Sequence, residues 1–515
     1  MKNFKLIFSI LILIPSFLFS QQNPERPKLL LGIVVDQMRY DYLDRFEDDF
    51  EEGGFNLLRK EGFYLTNLNF NYKPTYTGPG HASIFTGTVP AVHGIVANNW
   101  YDRNLGEIVY CAKEGAADAE GAYSPKRLEV ETLADALRRS TDYKGKAYGI
   151  ALKDRGAILP VGHSANGAYW FDGKSGKWTS SPYYPENKAE FLEKFNQADF
   201  AEQYLEKNWE SQSDKYGEGD FSHDLKSLYE KEGWKAIKNS PAGNQITLDF
   251  AKELILDRQL GKDEVIDFLS ISFSSTDYIG HQFGVNSAEV ADTYLKLDRN
   301  LADLLRFLDR EVGKGNYLFF ITSDHGALSS RNFLKDHQLP HGKLEVGEMK
   351  KKLDASLDQK FGQEDWIAAI YNLNVYFNPE VKQKYSHQFE AVLAFAEDLL
   401  LEEEGILEVF RPASSPNQLF SAMEQMILKG YLAERSGELI MLEKTNWTNY
   451  PDRGSTHGSP YSYDTHVPLI FYGKGVKSGK SNKAHQITDI AATVSRMLNL
   501  SQPNSFVGNN LIEMP

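Results

Sequence analysis

Lys28-Leu-Leu-Leu-Gly-Ile-Val-Val-Asp36 is a nearly continuous apolar run that ends on a carboxylate. A strand buried on both faces reads this way, because neither face alternates to polar. Three further runs repeat the pattern: Val265–Phe273, Asn316–Thr322 and Val467–Tyr472. The first of these leads into Ser274-Ser275-Thr276-Asp277, and the second into Ser323-Asp324-His325-Gly326. Between them Ser287–Leu308 carries Val290, Tyr294, Leu297, Leu301, Leu304, Leu305 and Leu308 at a helical period. Strands alternating with helices predict an α/β fold with a largely parallel sheet. Ligands of such sheets gather at the carboxyl ends of the strands. Asp36, Asp277 and Asp324-His325 all stand just beyond such ends.

The rest of the composition bounds the answer. The chain has 515 residues, 41% hydrophobic and 25% charged. That is globular composition, which excludes wholesale disorder and a polytopic membrane protein. At ~150 residues per domain the length allows one large domain with insertions, or two to three domains. Lys and Arg number 56 against 71 Asp and Glu, a net charge of −15. This balance argues against general nucleic-acid binding, which needs a basic surface. Cys111 is the single cysteine. An intramolecular disulfide and a thiolate-built zinc site are both excluded, so a metal must use His, Asp, Glu or hydroxyl oxygen.

The N-terminus pairs Lys2 and Lys5 with the apolar run Leu6–Phe19, then Ser20 and polar residues. The run is short for a bilayer span of ~20 residues. It reads as a cleaved secretory signal, residues 1–20, against the alternative of an uncleaved anchor. The mature chain, 25–515, is expected to be periplasmic or secreted. Two segments look like insertions. Residues 169–244, rich in Trp and Tyr, are expected as a cap over the sheet edge. Residues 363–444 are expected as a small α+β subdomain: strand 368–377, helix 387–401, strand 405–411, helix 418–429 and strand 438–443.

Asp277 and His281, four residues apart, share one face of a helical turn, as two ligands of one metal must. Each such pair alone is weak. Asp36, Asp277, His281, Asp324 and His325, with His457 of Ser455-Thr-His-Gly458, make six ligands. Six suffice for two three-ligand sites with open positions, and two close metals suit in-line phosphoryl chemistry. His and Asp without thiolate fit zinc, with manganese or iron as alternatives.

A nucleophile candidate lies in Tyr76-Thr77-Gly-Pro-Gly-His-Ala-Ser83. Pro79 and the apolar residues after it predict a helix that starts at Thr77, where free amides favour an anion. A plain N-cap threonine reads the same way, and Thr75 and Ser83 are rivals. Lys153 and Arg155, two residues apart, point the same way if extended, and two cations suit a phosphate dianion. A solvated charged turn is the alternative. Asn98 can donate an amide hydrogen bond to a phosphoryl oxygen; Asn99 is equally placed locally.

Together these stretches resemble the alkaline phosphatase superfamily. They are most similar to its phosphate-irrepressible, threonine-nucleophile alkaline phosphatases, exported by Gram-negative bacteria. The matching segments begin at Gly32-Ile-Val-Val-Asp36 and Thr77-Gly-Pro-Gly. They continue through His93-Gly-Ile-Val-Ala-Asn98, Leu152-Lys-Asp-Arg155 and Asp277-Tyr-Ile-Gly-His281, and end at Ser323-Asp-His-Gly326 and Thr456-His-Gly-Ser459. The resemblance implies a three-layer sandwich with cap insertions and two zinc ions per chain. One zinc would be held by Asp277, His281 and His457, with His466 a nearby rival to His457. The other would be held by Asp36, Asp324 and His325, with the Thr77 oxygen joining it. Asn98, Lys153 and Arg155 would clasp the phosphoryl oxygens.

The implied activity is hydrolysis of phosphate monoesters, of broad specificity, through a phosphothreonine intermediate. Small-molecule monoesters are the expected partners, with no duplex nucleic acid, no stable membrane insertion after cleavage and a monomeric state. No Cys/Ser-x-Pro-x-Arg stands at the nucleophile segment, which disfavours a sulfatase. The nearest alternative is a nucleotide pyrophosphatase/phosphodiesterase of the same superfamily. A non-catalytic metal- or phosphate-binding protein is the rival of another class, but binding needs no nucleophile.

Overall fold

The opening run forms the strand Leu29–Val35, buried at every position. The protein is described by a computed structural model over residues 26–114, 123–197, 200–212, 215–216, 221–412 and 420–511. The signal-peptide reading of residues 1–20 lies outside these described residues. Leu29–Val35 sits between two parallel neighbours, Asp267–Phe273 and Tyr317–Thr322, in a ten-stranded sheet. Ala147–Ala151 and Gly167–Asp172 continue the parallel set, and Lys177–Thr179 closes that edge antiparallel. On the other side His466–Gly473 runs antiparallel to Tyr317–Thr322, and Phe63–Asn69 reverses direction again. The sheet is therefore largely parallel, and the Val467–Tyr472 run is one of its two reversed strands.

Alternation along Leu29–Val35 feeds two cores. Leu29, Leu31, Ile33 and Val35 pack with the helices Ala242–Asp257 and Ala288–Leu308. Leu30 and Val34 pack with Thr77–Thr86, Asp154–Val161 and Asp489–Met497 on the opposite face. Helix, sheet and helix make a three-layer α/β sandwich. The long helix follows Ser287, whose hydroxyl accepts from Val290 N–H and caps it.

Register fixes where the site forms. Val35 pairs with Phe273, and Val34 pairs with both Ser272 and Thr322. Three adjacent strands thus end at one level. Asp36, Ser274 and Ser323-Asp324 leave the sheet side by side, although they are far apart in sequence.

The two segments flagged as insertions differ in how they pack. Residues 169–244 begin inside the central sheet, since Gly167–Asp172 and Lys177–Thr179 are its strands. Their aromatics extend the main core. Trp178 stacks on Phe250 with 4.1 Å between centroids, a pair worth about 0.5–1.5 kcal/mol beyond its buried area. Trp209 and Trp234 join the same core.

Residues 363–444 have a core of their own. The helix Val346–Phe361, just upstream, contributes Met349, Leu353 and Leu357 to it. The expected single strand 368–377 is a hairpin, Ile367–Tyr371 and Asn374–Phe377. Its turn needs two left-handed residues, Asn372 (φ 49°) and Leu373 (φ 59°). Phe389–Leu401, Ile406–Phe410, Ala422–Gly430 and Leu439–Glu443 follow in helix–strand–helix–strand order. Among the described residues no helix is long and apolar enough to cross a membrane.

Candidate active site

The helix Ser275–Phe283 starts two residues after its strand and carries Asp277 and His281 on one face. His281 Nε2 lies 3.2 Å from Asp277 Oδ1, and His457 Nε2 lies 3.6 Å from the same oxygen. Beside this group His325 Nε2 lies 3.5 Å from Asp36 Oδ1 and 3.5 Å from Asp324 Oδ2. Asp277 reaches towards both groups: its carboxylate is also within ligand-sharing distance of Asp36 and His325. Asp36, Asp324 and His325 are fully buried, whereas the His281 side chain is 25% exposed. One ligand group is sealed, and the other opens to the cleft.

Three features of these residues fit a pair of divalent cations. First, every imidazole is oriented for ligation. Nδ1 of His281, His457 and His325 lies 2.7, 2.7 and 3.0 Å from the carbonyl oxygens of Ser455, Thr75 and Gly326. An Nδ1–H donated to a carbonyl leaves the Nε2 lone pair for a metal. Second, Oδ1 of Asp36 and Oδ2 of Asp324 are buried without a hydrogen bond, and Oδ2 of Asp36 meets only the Lys153 ammonium. Such atoms are costly unless a cation meets them. Third, the titration pattern is that of a dry site short of positive charge. Burial, with repulsion from Asp324, raises Asp36 well above the ordinary carboxylate value. Burial lifts Asp324 to about 7. Burial also holds His457 at about 3 and His325 well below the usual imidazole value. At Asp277 burial is outweighed by His281 and Lys153, which hold it low.

Thr77 opens the helix Thr77–Thr86 next to these ligands. Gly80 permits the approach: a Cβ there would fall 2.3 Å from Asp324 carbonyl oxygen. Lys153 Nζ, Arg155 Nη2 and His325 Nε2 lie 3.4, 3.5 and 3.4 Å from Thr77 Oγ1. Lys153 Nζ also sits 2.6 Å from Asp36 Oδ2 and 2.5 Å from Asp277 Oδ2. Lys153 and Arg155 converge, but not from an extended stretch. Lys153 is the N-cap of the helix Asp154–Val161 and Arg155 lies in its first turn. Asn98 Oδ1 accepts from Gly78 N–H at 2.7 Å, which leaves its amide nitrogen as the donor end.

The local rivals are engaged elsewhere. Thr75 Oγ1 donates to Ser459 carbonyl at 2.9 Å, and Ser83 Oγ pairs with His93 Nε2 at 2.9 Å. Asn99 lies in the strand Asn99–Asp102, its carbonyl accepting from Asn372. His466 Nε2 faces Thr66 carbonyl at 2.9 Å while its ring stacks on Tyr40.

Sequence reasoning missed two contributors. Tyr110 hydroxyl binds Asp154 and accepts from Arg155 Nη1 at 3.1 Å, bracing the guanidinium. Gln37 donates from Nε2 to Asp277 Oδ1 at 2.8 Å. Its place directly after Asp36 is the one signal that could have found it.

A cleft of about 280 Å³ opens beside His457. Tyr76, Ile370, Tyr371, Asn372, Leu373 and Trp447 line it, with a buried Lys73–Glu443 ion pair at its side.

Residues 30–467 match the family described as type I phosphodiesterase / nucleotide pyrophosphatase. A Myroides odoratus protein named calcium-transporting ATPase is 39% identical over 524 residues, covering 96% of each chain. Alkaline phosphatase PafA of Elizabethkingia meningoseptica is 39% identical over 523 residues, covering 95% of this chain and 94% of that one. The crystal structure of wild-type PafA superposes with a TM-score of 0.88 at 38% identity, over 95% of this chain and 99% of that chain. The chain belongs to the type I phosphodiesterase / nucleotide pyrophosphatase family, within the alkaline phosphatase superfamily.

Proposed function

We propose that the chain is an exported, zinc-dependent alkaline phosphatase that hydrolyses phosphate monoesters through a phosphothreonine intermediate and releases inorganic phosphate. The catalytic domain is residues 25–515, with insertions at about 169–244 and 363–444. Its signal-like N-terminus supports a periplasmic or secreted location. One observation carries the catalytic reading: three basic nitrogens, on Lys153, Arg155 and His325, converge within 3.5 Å on the Thr77 hydroxyl. A capping threonine needs a backbone amide, not a ring of cations and ligands.

Two zinc ions, one held by Asp277, His281 and His457 and one by Asp36, Asp324, His325 and Thr77, would activate the threonine oxygen and stabilise the leaving oxygen. The chain does the rest. The amino end of the Thr77–Thr86 helix favours negative charge on the bound group. Lys153 supplies a buried point charge, and Arg155 a planar fork braced by Tyr110. Asn98 adds an amide donor. Two cations match a monoester dianion better than a monoanionic diester. Lys153 and Arg155 would meet only the phosphoryl group, and the cleft beside His457 leaves room for varied esters; both support broad specificity.

The relatives' names are compatible with this. PafA is named an alkaline phosphatase. The Myroides protein is named an ATPase, and the terminal phosphoryl of ATP presents the same dianion as a monoester. Its transport label has no counterpart in a membrane-spanning helix among the described residues.

The test compares kcat/KM for p-nitrophenyl phosphate and bis-p-nitrophenyl phosphate at alkaline pH, in zinc-replete wild type, Lys153→Ala and Arg155→Ala. The expected result is a strong monoester preference. Each variant should lose roughly 10²–10³-fold on the monoester, the scale of removing one charge-stabilising donor, and less on the diester. A diester preference indifferent to both substitutions would move the chain to the phosphodiesterase reading.

A further inference from the structure

Gln37 directly follows Asp36 and is buried, at 2% exposure. Its backbone is left-handed, φ 64°. It occupies the third position of a β-turn that Met38 N–H closes onto Val35 carbonyl at 3.2 Å. Glycine or asparagine is usual there, because a Cβ is crowded in that conformation. A long side chain held in this way needs a compensating contact, and its carboxamide makes one. Nε2 donates to Asp277 Oδ1 at 2.8 Å, the oxygen that His281 and His457 approach at 3.2 and 3.6 Å. The backbone N–H of Gln37 donates to Asp324 Oδ1 at 3.2 Å. One residue therefore grips a carboxylate of each ligand group, one by side chain and the other by main chain. The fit is close. On the helix that carries Asp277 and His281, a Cβ at Gly280 would fall 1.8 Å from Gln37 Oε1.

Building on the two-zinc reading above, we infer that Gln37 is a positioning residue for the Asp277–His281–His457 site and not for its neighbour. A donor on a ligand carboxylate fixes the plane of that carboxylate and tunes its charge. Outer partners of this kind typically set metal affinity by about 10–100-fold. Asp324, by contrast, is held by a main-chain N–H that any non-proline residue at position 37 would supply. The side chain grips the Asp277 oxygen that faces His281 and His457, which gives the experiment an internal control.

Gln37→Gly removes the carboxamide, keeps the N–H and suits the left-handed turn. Metal-free protein is titrated with zinc against a chromophoric chelator. The metal-free Tm, and kcat and KM for p-nitrophenyl phosphate, are measured alongside. Wild type should bind two zinc ions. Gln37→Gly should bind one as wild type does and the other about 10–100-fold more weakly, with a metal-free Tm equal or higher. Gln37→Glu, which puts a carboxylate where the donor stood, should weaken the same site at least as far. Should Gln37→Gly fail to fold, Gln37→Asn replaces it: asparagine tolerates the turn but is one methylene too short for Asp277. Unchanged zinc affinity at both sites, equal weakening of both, or a lower Tm without any loss of zinc affinity would each overturn the inference. Wild-type protein that binds no zinc would instead sink the two-zinc reading on which the inference rests.

Discussion

The charged side chains beside the cleft, the floor of the candidate site, hang from the ends of central strands or the first turns of the helices that follow. The wall beside them is the hairpin Ile367–Tyr371 and Asn374–Phe377, which offers Ile370, Tyr371, Asn372 and Leu373 and no charge. The floor is placed by the register of a sheet buried on both faces, where a shift of one residue would misplace Asp36, Asp277 and Asp324 together. The wall belongs to a unit with its own core. Side-chain bonds join it to the rest of the chain, among them Asn372 Nδ2 to Asn99 carbonyl at 2.7 Å, Arg103 Nη2 to Ser436 carbonyl at 2.6 Å and Arg435 Nη1 to Arg127 carbonyl at 2.8 Å. On the proposed function, chemistry that needs fixed geometry sits on the rigid element, and contact with the variable part of a substrate falls to a unit with its own core.

The largest expected effect tests the floor. Thr77→Ala removes the proposed nucleophile and one proposed zinc donor, and leaves Asp36, Asp324 and His325 in place. Monoesterase kcat should fall by at least about 10⁴-fold, the scale seen when a nucleophile is deleted. Zinc content, measured by metal analysis of the dialysed variant, should stay at the wild-type value. Activity retained within tenfold would hand the role to another group and break the assignment of chemistry to this helix start.

Most of the floor was legible in the sequence because its logic is local. Runs apolar at every position announce strands buried on both faces, and an Asp or Asp-His at their ends announces ligands. What escaped was set by tertiary contact or by unusual backbone. Asn98 and Asn99 are locally equivalent; only the approach of Gly78 N–H to the Asn98 side chain separates them. Gln37 and Leu373 escaped for a shared reason. Both are left-handed at φ 64° and 59° without being glycine or asparagine, so neither gives a turn signal. The pattern over 368–377 is that of one strand, and no local signal marks the turn after Asp36. Residues that defy local preference mark places where the surrounding structure overrules it.

The link between floor and wall can be cut on its own. Lys73, four residues before Thr77, is buried against Glu443 of the strand Leu439–Glu443 and donates to Met441 carbonyl at 3.1 Å. Glu443→Ala leaves the ammonium buried without its partner, a loss of about 3–5 kcal/mol in comparable pairs. Denaturant unfolding should show that loss. Lys73→Met with Glu443→Leu, which replaces both charges by apolar groups, should recover most of it. A single variant as stable as wild type would mean that the wall is not anchored through this pair.

The smallest effect is the most discriminating, because it separates binding from chemistry. Tyr371 lines the cleft, half-buried, at the end of the first hairpin strand and carries none of the ligand or phosphate contacts. Tyr371→Ala removes one aromatic surface from the ester side. Such a contact is worth about 1 kcal/mol, so KM for p-nitrophenyl phosphate should rise about fivefold while kcat stays within twofold. An alkyl phosphate, which cannot stack, should show no change in KM. A change confined to KM removes binding felt equally in ground and transition states, whereas a fall in kcat reports an interaction made only in the transition state. If kcat falls tenfold on both esters, the wall shapes the reacting geometry and the division between rigid chemistry and separable binding surface does not hold.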